Sequence, residues 1–304
     1  MAEIGILHGN KESFPQAVLE GLNRLSKGSC RLLCVDALHG QDYDRWGWDT
    51  PVVLDLFSGQ MPFLKEALHL LSQEPGRKVY NCPRIGRLHN RATVRRIASK
   101  LGLETRLSLL LPARSVKSGF PEQGYVNLRF PMAWEELLSS VGSYPYLQAL
   151  NFDRQPGVTV EDLGALWRRY NETGTALQEL VEAPKADELY RVYALGKERF
   201  VRPLEPLTRQ MLDPEPIDSE REKRLLEATD SILREVPWTI CSVDLGWSKS
   251  GIEYLDSNPD PYLEWWVLGE RHFSQAVDGV VDLLGSHLKN SKTSPKSRKK
   301  KGQG

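Results

Sequence analysis

The first 110 residues alternate between short apolar segments and longer amphipathic ones, and this alternation constrains the fold more than any other feature. Short apolar runs between turn residues predict strands, and apolar residues at helical spacing predict helices. Strands that alternate with helices form an open α/β sheet. The predicted strands are residues 3–7, 31–36, 51–55, 78–81 and 105–110, and the predicted helices begin at Ser13, Pro62 and Asn90.

The second half of the chain has a different order of elements. Several predicted strands follow one another directly, which is typical of antiparallel pairs in an α+β unit. Ser219 and Glu222 form a capping-box pattern, which predicts the start of a long helix. The remaining predicted strands are residues 144–150, 158–160, 176–181, 190–195, 239–247 and 252–257, and a last helix is predicted over about 273–288.

Composition excludes several classes of protein. The 304 residues include eight Trp, ten Tyr and eight Phe, which need a packed core and exclude a largely disordered chain. No apolar run reaches the roughly 18–20 residues of a membrane helix, and the first residues lack the basic-then-apolar order of a signal peptide. We therefore expect a cytoplasmic protein without a membrane segment. The four cysteines, Cys30, Cys34, Cys82 and Cys241, are expected to be reduced and mostly buried.

Positive charge is concentrated at the end of the chain. Residues 289–304 carry seven basic residues and no acid, so the rest of the chain is net negative although the whole is neutral. Such a segment of Ser, Pro, Lys and Gly is predicted to be disordered. It could bind nucleic acid or another acidic surface, but a solvated terminus without a partner is the favoured interpretation.

Two acids are predicted to meet in a hairpin near the end of the chain. Lys249-Ser250-Gly251 reads as a three-residue hairpin loop, and Asp244 and Asp256 are equidistant from its centre. They are therefore predicted to face each other directly, and Asn258 to lie on the same face as Asp256.

Opposed acids destabilise a sheet unless a positive group lies between them. Mg²⁺ is commonly held by one or two carboxylates together with substrate phosphates, so a metal site at Asp244, Asp256 and Asn258 would explain the pairing. The alternative is a pair of solvated acids on an open sheet face. A slip of one residue in the register would also remove the pairing.

This segment resembles the metal-binding end of the ATP-grasp superfamily. In that family an acid on one strand, and an acid and an Asn two residues apart on the next, bind Mg²⁺ and the phosphates of ATP. The resemblance assigns these roles to Asp244, Asp256 and Asn258, although the usual second acid is Glu.

Other segments occur in the order typical of the same family, and most closely of its amino-acid- or peptide-ligating branch, which includes the glutamate-adding ligases. The strand at 176–181 resembles the hinge strand that contacts adenine, and Arg191 resembles the arginine that approaches the phosphates. The resemblance thus implies a catalytic role for Arg191. It implies nucleotide contacts for Arg91, Gln148, Gln178, Glu179, Leu180, Val181 and, as the ribose-binding acid, Glu188.

The resemblance also divides the chain into four parts. Residues 1–112 would be an α/β pre-ATP-grasp-like domain that precedes a two-lobed α+β ATP-grasp fold. Residues 113–202 would form the central nucleotide-binding lobe and residues 203–288 the C-terminal metal-binding lobe. Residues 289–304 would be the disordered basic tail.

Three further features depart from the family pattern. Gln148 stands where a Lys usually contacts the α-phosphate, and Asn90-Arg91 replaces Asp-Lys at the start of a helix. The loop at 151–157 has one Gly where the family has a flexible Gly-rich lid, and Arg154 is its only cation. Two hypotheses remain open: an active ligase, and a catalytically reduced member that binds a nucleotide or an acidic ligand.

If the chain is active, the resemblance implies ATP and Mg²⁺ as cofactors and a two-step reaction. A small-molecule or peptide carboxylate would attack the γ-phosphate to form an acyl phosphate, and an amine-type nucleophile would then displace phosphate. Arg191 would stabilise the charge on the transferring group. Such catalysis depends on positioning, which agrees with the absence of a Ser/His or Cys/His pattern for a protein nucleophile.

Overall fold

The computed structural model describes residues 4–9, 13–33, 50–57, 62–81, 90–111, 134–150, 158–172, 178–206, 209–213, 216–236 and 238–291. Within these residues, thirteen strands and seven helices follow one another along the chain. In order they are β1 (Ile4–Leu7), α1 (Ser13–Leu25), β2 (Cys30–Leu33), β3 (Val52–Asp55), α2 (Pro62–Gln73), β4 (Lys78–Tyr80), α3 (Arg91–Lys100), β5 (Glu104–Thr105), β6 (Ser108–Leu111), α4 (Trp134–Ser140), β7 (Tyr146–Ala149), β8 (Val158–Thr159), α5 (Leu163–Glu172), β9 (Gln178–Val181), β10 (Glu188–Leu195), β11 (Glu198–Leu204), α6 (Ser219–Glu235), β12 (Ile240–Trp247), β13 (Ile252–Asn258) and α7 (Trp265–Ser291).

The first sheet confirms the predicted α/β unit. Its strands lie in the order β2-β1-β3-β4, and all neighbouring pairs are parallel. Parallel strands are buried on both faces, which is why every residue of β1 and of β3 is buried. Helix α2 covers one face through Leu64, Ala67, Leu68 and Leu71.

Two further sheets form the second part of the molecule. We name the one with the order β6-β9-β7-β8 the central sheet, and its strand pairs are antiparallel. We name the other, with the order β11-β10-β12-β13-β5, the C-terminal sheet; it is antiparallel except for the parallel edge pair β13–β5. The predicted antiparallel α+β character is confirmed.

The sheets divide the chain differently from the predicted boundaries at 112 and 202. Helix α3 and strand β5, placed by prediction in the first domain, pack on and pair with the C-terminal sheet, while β6 joins the central sheet. Strands β10 and β11, predicted for the central lobe, lie in the C-terminal sheet. The reason is that hydrogen bonding across a sheet does not follow sequence order. The predicted tail at 289–304 lies almost entirely outside the described residues.

One hydrophobic core joins the first sheet to the C-terminal sheet. Helix α7 lies between them and buries Val277, Val280 and Leu284 against α1 and against Tyr193 and Phe200. The last helix is longer than predicted, because it begins at Trp265. It is interrupted at Gly269, whose φ of 73° is not helical. The other face of the C-terminal sheet packs on α3 and α6 through a second core.

The helix caps agree with prediction at α3 and differ at α6. Asn90 caps α3 by accepting a hydrogen bond from the Thr93 N–H. At α6 the cap is Asp218, which accepts from the Arg221 N–H, so the predicted Ser219–Glu222 capping box is not used. The Asp218 carboxylate caps the first turn one residue earlier and also interacts favourably with the helix dipole.

Two of the four cysteines, Cys30 and Cys241, are buried free thiols, and Cys34 and Cys82 fall outside the described residues. The hydrophobic stretches within the described helices are all too short or too polar to cross a bilayer.

Candidate active site

The hairpin β12–β13 places Asp244 and Asp256 directly opposite each other, as predicted, although its turn is different. Reciprocal hydrogen bonds between Ser248 and Gly251 leave only Lys249 and Ser250 in the turn, so the predicted three-residue loop is wrong. The register near the turn is therefore shifted by one residue, and Leu245 pairs with Tyr254. A β-bulge at Leu255 restores the predicted register from Asp256 onwards.

The bulge also decides which side chains reach which face of the sheet. Tyr254 packs into the core under α3 and α6, while the next residue, Leu255, packs with Leu189 and Leu204 on the opposite face. Asp256 follows on the face of its partner Asp244. Without the extra residue, strict alternation would bring either the core tyrosine or the acid to the wrong face.

Four charged residues form a row across four neighbouring strands, in the order Arg202, Arg191, Asp244 and Asp256. Arg191 donates two hydrogen bonds to Asp244, from Nε to Oδ1 at 2.7 Å and from Nη2 to Oδ2 at 2.8 Å. Burial alone would lower the pKa of Arg191, but the charge and hydrogen bonds of Asp244 raise it above its usual value. The bidentate pair therefore favours the charged form of Arg191.

Asp256 at the end of the row has its own arginine. Arg91, the first residue of α3, donates from Nε to Oδ1 and Oδ2 of Asp256 at 3.0 and 3.2 Å. Burial would raise the pKa of Asp256, but the charges of Arg91 and Arg209 outweigh it and hold the pKa below its usual value. Each of the two opposed acids is thus neutralised by a separate arginine, which accounts for a pairing that would otherwise be costly.

The three predicted metal ligands lie on one face of the hairpin. Asn258 is opposite Ser242 and two residues from Asp256, and its Oδ1 accepts a hydrogen bond from the Asp260 N–H at 2.9 Å. Carboxylate and amide oxygens with spare lone pairs suit Mg²⁺, so the donor set fits this ion. Among the described residues, no group of three or more His, Cys, Asp or Glu side chains could hold a metal by itself. Water molecules or phosphate oxygens would therefore have to complete the shell.

The central sheet contributes a buried polar cluster to the same region. Arg95 on α3 pairs with both oxygens of Glu179 at 2.8 and 2.9 Å, and Gln148 donates from Nε2 to the same carboxylate at 2.8 Å. Arg91 connects this sheet to the hairpin, because its Nη1 donates to the Ala149 carbonyl at 2.6 Å. Two predicted nucleotide contacts, Gln148 and Glu179, thus face Arg95 and are engaged with each other.

The other predicted contacts on β9 point in two directions. Glu179 and Val181 lie on the face towards α3, whereas Leu180 packs with Leu147 and Leu166 in the core on the opposite face. Gln178 shares the face of Leu180, and its buried Oε1 has no hydrogen-bond partner among the described residues. An adenine ring on the α3 side would therefore meet Leu180 through backbone atoms only.

Glu188 does not join the other predicted residues. It precedes Tyr190 by two positions on β10, and both lie on the face of the sheet opposite to Arg191. There Glu188 pairs with Arg221 and Tyr190 at an exposed position. The structure therefore brings together Arg91, Gln148, Glu179, Arg191, Asp244, Asp256 and Asn258 and leaves Glu188 apart.

Sequence reasoning missed two arginines of this region, Arg106 and Arg209. Arg106 is 3% exposed and donates from Nη1 to the Glu182 carbonyl at 2.9 Å and from Nη2 to the Leu255 carbonyl at 2.6 Å, so it links the end of β9 to the bulge. Arg209 lies in the loop after β11, with its guanidinium 4.5 Å from the centre of the Tyr146 ring. No local pattern marks either residue, because both act across long sequence separations. The predicted lid at 151–157 lies outside the described residues.

No protein-family model matches the sequence, and a comparison with curated proteins finds no match. The fold, by contrast, is similar to that of several solved structures. A RimK domain protein of the ATP-grasp type from Sphaerobacter thermophilus is 14% identical with a TM-score of 0.64, and the match covers 93% of this chain and 99% of that one. The D-alanine–D-alanine ligase of Bacillus anthracis, solved with ATP, is 13% identical with a TM-score of 0.63 and covers 96% and 100%. The ATP-grasp ligase PsnB, solved with a precursor variant, Mg and ADP, is 15% identical with a TM-score of 0.53 and covers 95% and 99%.

Proposed function

The chain has the ATP-grasp fold, and on that premise we propose that it is an ATP- and Mg²⁺-dependent ligase that activates a carboxylate. The observation that carries the proposal is the hairpin, in which Asp244 and Asp256 face each other with Asn258 on the same side and Arg191 in contact with Asp244. Such oxygen donors beside an arginine suit a magnesium-bound triphosphate. The neighbours solved with ATP, or with Mg and ADP, support the same assignment.

The residues of the hairpin would bind and orient the phosphates. Mg²⁺, when bound by Asp244, Asp256 and Asn258, would neutralise negative charge on the β- and γ-phosphates. Arg191 lies next to this site and would stabilise the charge that develops on the phosphoryl group in transfer. Its bidentate contact with Asp244 fixes the direction of the guanidinium before any ligand arrives, so little reorganisation is needed.

The proposed reaction has two steps. An oxygen of the substrate carboxylate forms a bond to the γ-phosphorus while the bond to the β–γ bridging oxygen breaks, so the products are an acyl phosphate and ADP. An amine nitrogen then bonds to the acyl carbon, phosphate leaves, and the nitrogen loses a proton to solvent. The substrate class is a small-molecule or peptide carboxylate with an amine-type nucleophile.

A second candidate function is nucleotide or acidic-ligand binding without catalysis. It is favoured by Gln148, whose amide is held by Glu179 in place of the usual phosphate-binding lysine. It is also favoured by the two arginines that already neutralise Asp244 and Asp256 without a metal. A protein of this kind would bind the ligand in the same place and release no ADP.

Thermal unfolding with ATP, in the presence and absence of Mg²⁺, tests the proposed site. A ligand that binds only the folded chain at 100 times its Kd adds about 2.7 kcal/mol of stability, which raises Tm. We expect a Mg²⁺-dependent rise that Asp244→Asn removes. Asp230→Asn is the matched control, because Asp230 forms an exposed ion pair with Arg199 on the helix side of the sheet. No shift at millimolar ATP and Mg²⁺ would refute the ligase and nucleotide binding, and of the second candidate only binding of another acidic ligand would be left.

Hydroxylamine distinguishes the ligase from the binder. This nucleophile converts an acyl phosphate into a hydroxamate, so the amine substrate need not be known. We expect ADP release and hydroxamate formation with at least one carboxylate from a panel of amino acids and short peptides. A Mg²⁺-dependent thermal shift without either product across the panel would favour the binding protein.

A further inference from the structure

Two arginines between the central and C-terminal sheets carry hydrogen-bond donors that no described residue accepts. The unpaired atoms are Nε of Arg106 and Nε and Nη2 of Arg209, and all three are buried. Buried polar groups in folded proteins are almost always hydrogen-bonded. Arg209 stands out among the described arginines, because two adjacent donors of one guanidinium are unsatisfied, and this arrangement suits an acceptor with negative charge.

The edge of Arg209 that lacks a partner is the edge that recognises anions. In Arg191, the Nε and Nη2 atoms hold the two oxygens of Asp244. The same pair of atoms in Arg209 has no hydrogen-bond partner within the described part of the chain. This planar pair of donors matches two oxygens of a carboxylate or of a phosphate group.

The backbone and the stacking contact hold Arg209 in place. Its φ is 54°, a left-handed conformation that is costly for a residue other than glycine, and its N–H donates to the Glu205 carbonyl at 2.8 Å. Tyr146 supports the guanidinium by a cation–π contact and lies two residues before Gln148 on β7. Since alternate residues of a strand share a face, Arg209 lies on the same side of the central sheet as Gln148.

The local charges favour an added anion. Burial and the positive charge of Arg209 lower the pKa of Arg106, so the two cations repel each other in a buried setting. The nearby acid Asp256 is already engaged by Arg91 and by the Ser257 N–H. Glu253, also near Arg106, accepts from the N–H groups of Lys185 and Ala186. Asp256 and Glu253 thus already accept hydrogen bonds from other groups.

We infer that Arg209 binds a phosphate group of the nucleotide and supplies, from the opposite sheet, the positive charge that Gln148 does not provide. This inference rests on the proposed nucleotide site and adds a specific phosphate-binding residue to it. Arg106, whose charge interacts with that of Arg209, adds positive charge near the same anion. The chemical class of ligand is a nucleoside di- or triphosphate, and a nucleoside without phosphate gains nothing from Arg209.

The test compares Kd values by calorimetry for ATP, ADP and adenosine with Mg²⁺. We expect Arg209→Gln to weaken ATP binding at least tenfold and to change adenosine binding less than twofold, while Arg209→Lys retains part of the ATP affinity. Arg224→Gln is the matched control, because the Arg224 guanidinium lies 4.9 Å from the Trp247 ring in a similar contact on α6. Equal ATP affinity in Arg209→Gln and the parent would overturn the inference.

Two further measurements keep the outcomes separate. A Tm for Arg209→Gln within a few degrees of the parent shows that the variant folds. If Arg209→Gln does not fold, Arg209→Lys is measured in its place. If the parent binds no ATP, the proposed function fails, and tripolyphosphate then probes the arginine site alone. If the parent binds tripolyphosphate and Arg209→Gln does not, the anion site is supported. If the parent does not bind tripolyphosphate, the anion site is refuted.

Discussion

Single arginines determine the electrostatics of the candidate site, because three of its acids each form an ion pair with one guanidinium. Arg191 holds Asp244, Arg91 holds Asp256, and Arg95 holds Glu179. The opposition of Asp244 and Asp256 could be predicted from spacing on one hairpin, whereas Arg191 on β10 could be predicted only from the family resemblance. Arg106 and Arg209 could not, because their partners come from distant parts of the chain and the loop around Arg209 has no recurring pattern.

His272 lies next to Arg202, the arginine at the other end of the row of charged residues. Its ring stacks on Phe200 with the centroids 4.8 Å apart, and its Nδ1 lies 3.4 Å from Nη1 of Arg202. Burial and the charges of Arg202 and Arg271 lower the pKa of His272 below its usual value. The folded chain therefore holds this imidazole neutral at a pH where the unfolded chain would protonate it.

We expect stability to fall as pH decreases below about 6.5, and His272→Phe to remove part of that fall. The folded-state pKa is lowered, so the unfolded chain takes up the proton first and is stabilised by it, by at most about 1.4 kcal/mol per pH unit for one histidine. Urea unfolding of the parent and the variant between pH 7.5 and 5 measures the difference.

His287 extends the same experiment. Its pKa is also lowered, first by burial and then by Lys78, and its Nε2 lies 2.7 Å from the hydroxyl of Tyr80. The double variant with His287→Phe should show a weaker pH dependence than either single variant. An identical slope in parent and double variant would show that neither histidine couples folding to pH.

Among the elements, the hairpin β12–β13 shows how a correct register can be predicted from a wrong turn. A three-residue loop without a bulge and a two-residue turn followed by a bulge both bring Asp244 opposite Asp256. The sequence does not distinguish them, because Lys249-Ser250-Gly251 suits either turn. The core decides between the two turns, because Tyr254 packs on the face of the sheet towards α3 and α6 and Leu255 packs on the opposite face.

Helix α7 depends on a glycine where it crosses the β10–β11 turn. A Cβ at Gly279 would lie 2.5 Å from the Leu195 carbonyl oxygen and 2.9 Å from the Cβ of Glu198. Gly196 lies at the same crossing and has a φ of 64°. The helix and the turn can therefore be this close only because positions 196 and 279 carry no side chain.

We expect Gly279→Ala to destabilise the chain by about 1–3 kcal/mol through overpacking, although alanine is the better helix former. Equilibrium unfolding in urea measures the change. Gly164→Ala is the control on α5, because only the side-chain end of Asp162 lies within 4 Å of the added methyl group. A variant at 279 that is as stable as the parent would show that the two elements can move apart freely.

At the scale of the whole molecule, the fold class and the order of its parts could be predicted. Which strands and helices belong to which sheet could not. Local patterns predicted most of the strands and helices, and the resemblance of the Asp244–Asn258 segment and of other segments to a known family indicated the ATP-grasp fold. The sheet that each strand joins depends on pairings between distant residues, such as β5 with β13 and β6 with β9. The local periodicity of hydrophobic residues does not indicate those pairings.

A fragment of residues 1–112 is therefore expected not to fold alone. It lacks α7, whose Val277, Val280 and Leu284 complete the core over α1, and its own α3, β5 and β6 would lose their partners. Circular dichroism and urea unfolding of the fragment should show no cooperative transition. Mixing it with a fragment of residues 113–304 is the complementary measurement, and a cooperative transition of the first fragment alone would contradict the shared core.

The position of α7 also has a consequence for the order of events during translation. About 240 residues separate the end of α1 from the start of α7, and at roughly 5–20 residues per second the ribosome needs on the order of 12–48 seconds to produce them. Throughout that interval the nascent chain exposes the apolar side of α1 that α7 will later cover. We expect chaperones to occupy this surface until synthesis is nearly complete.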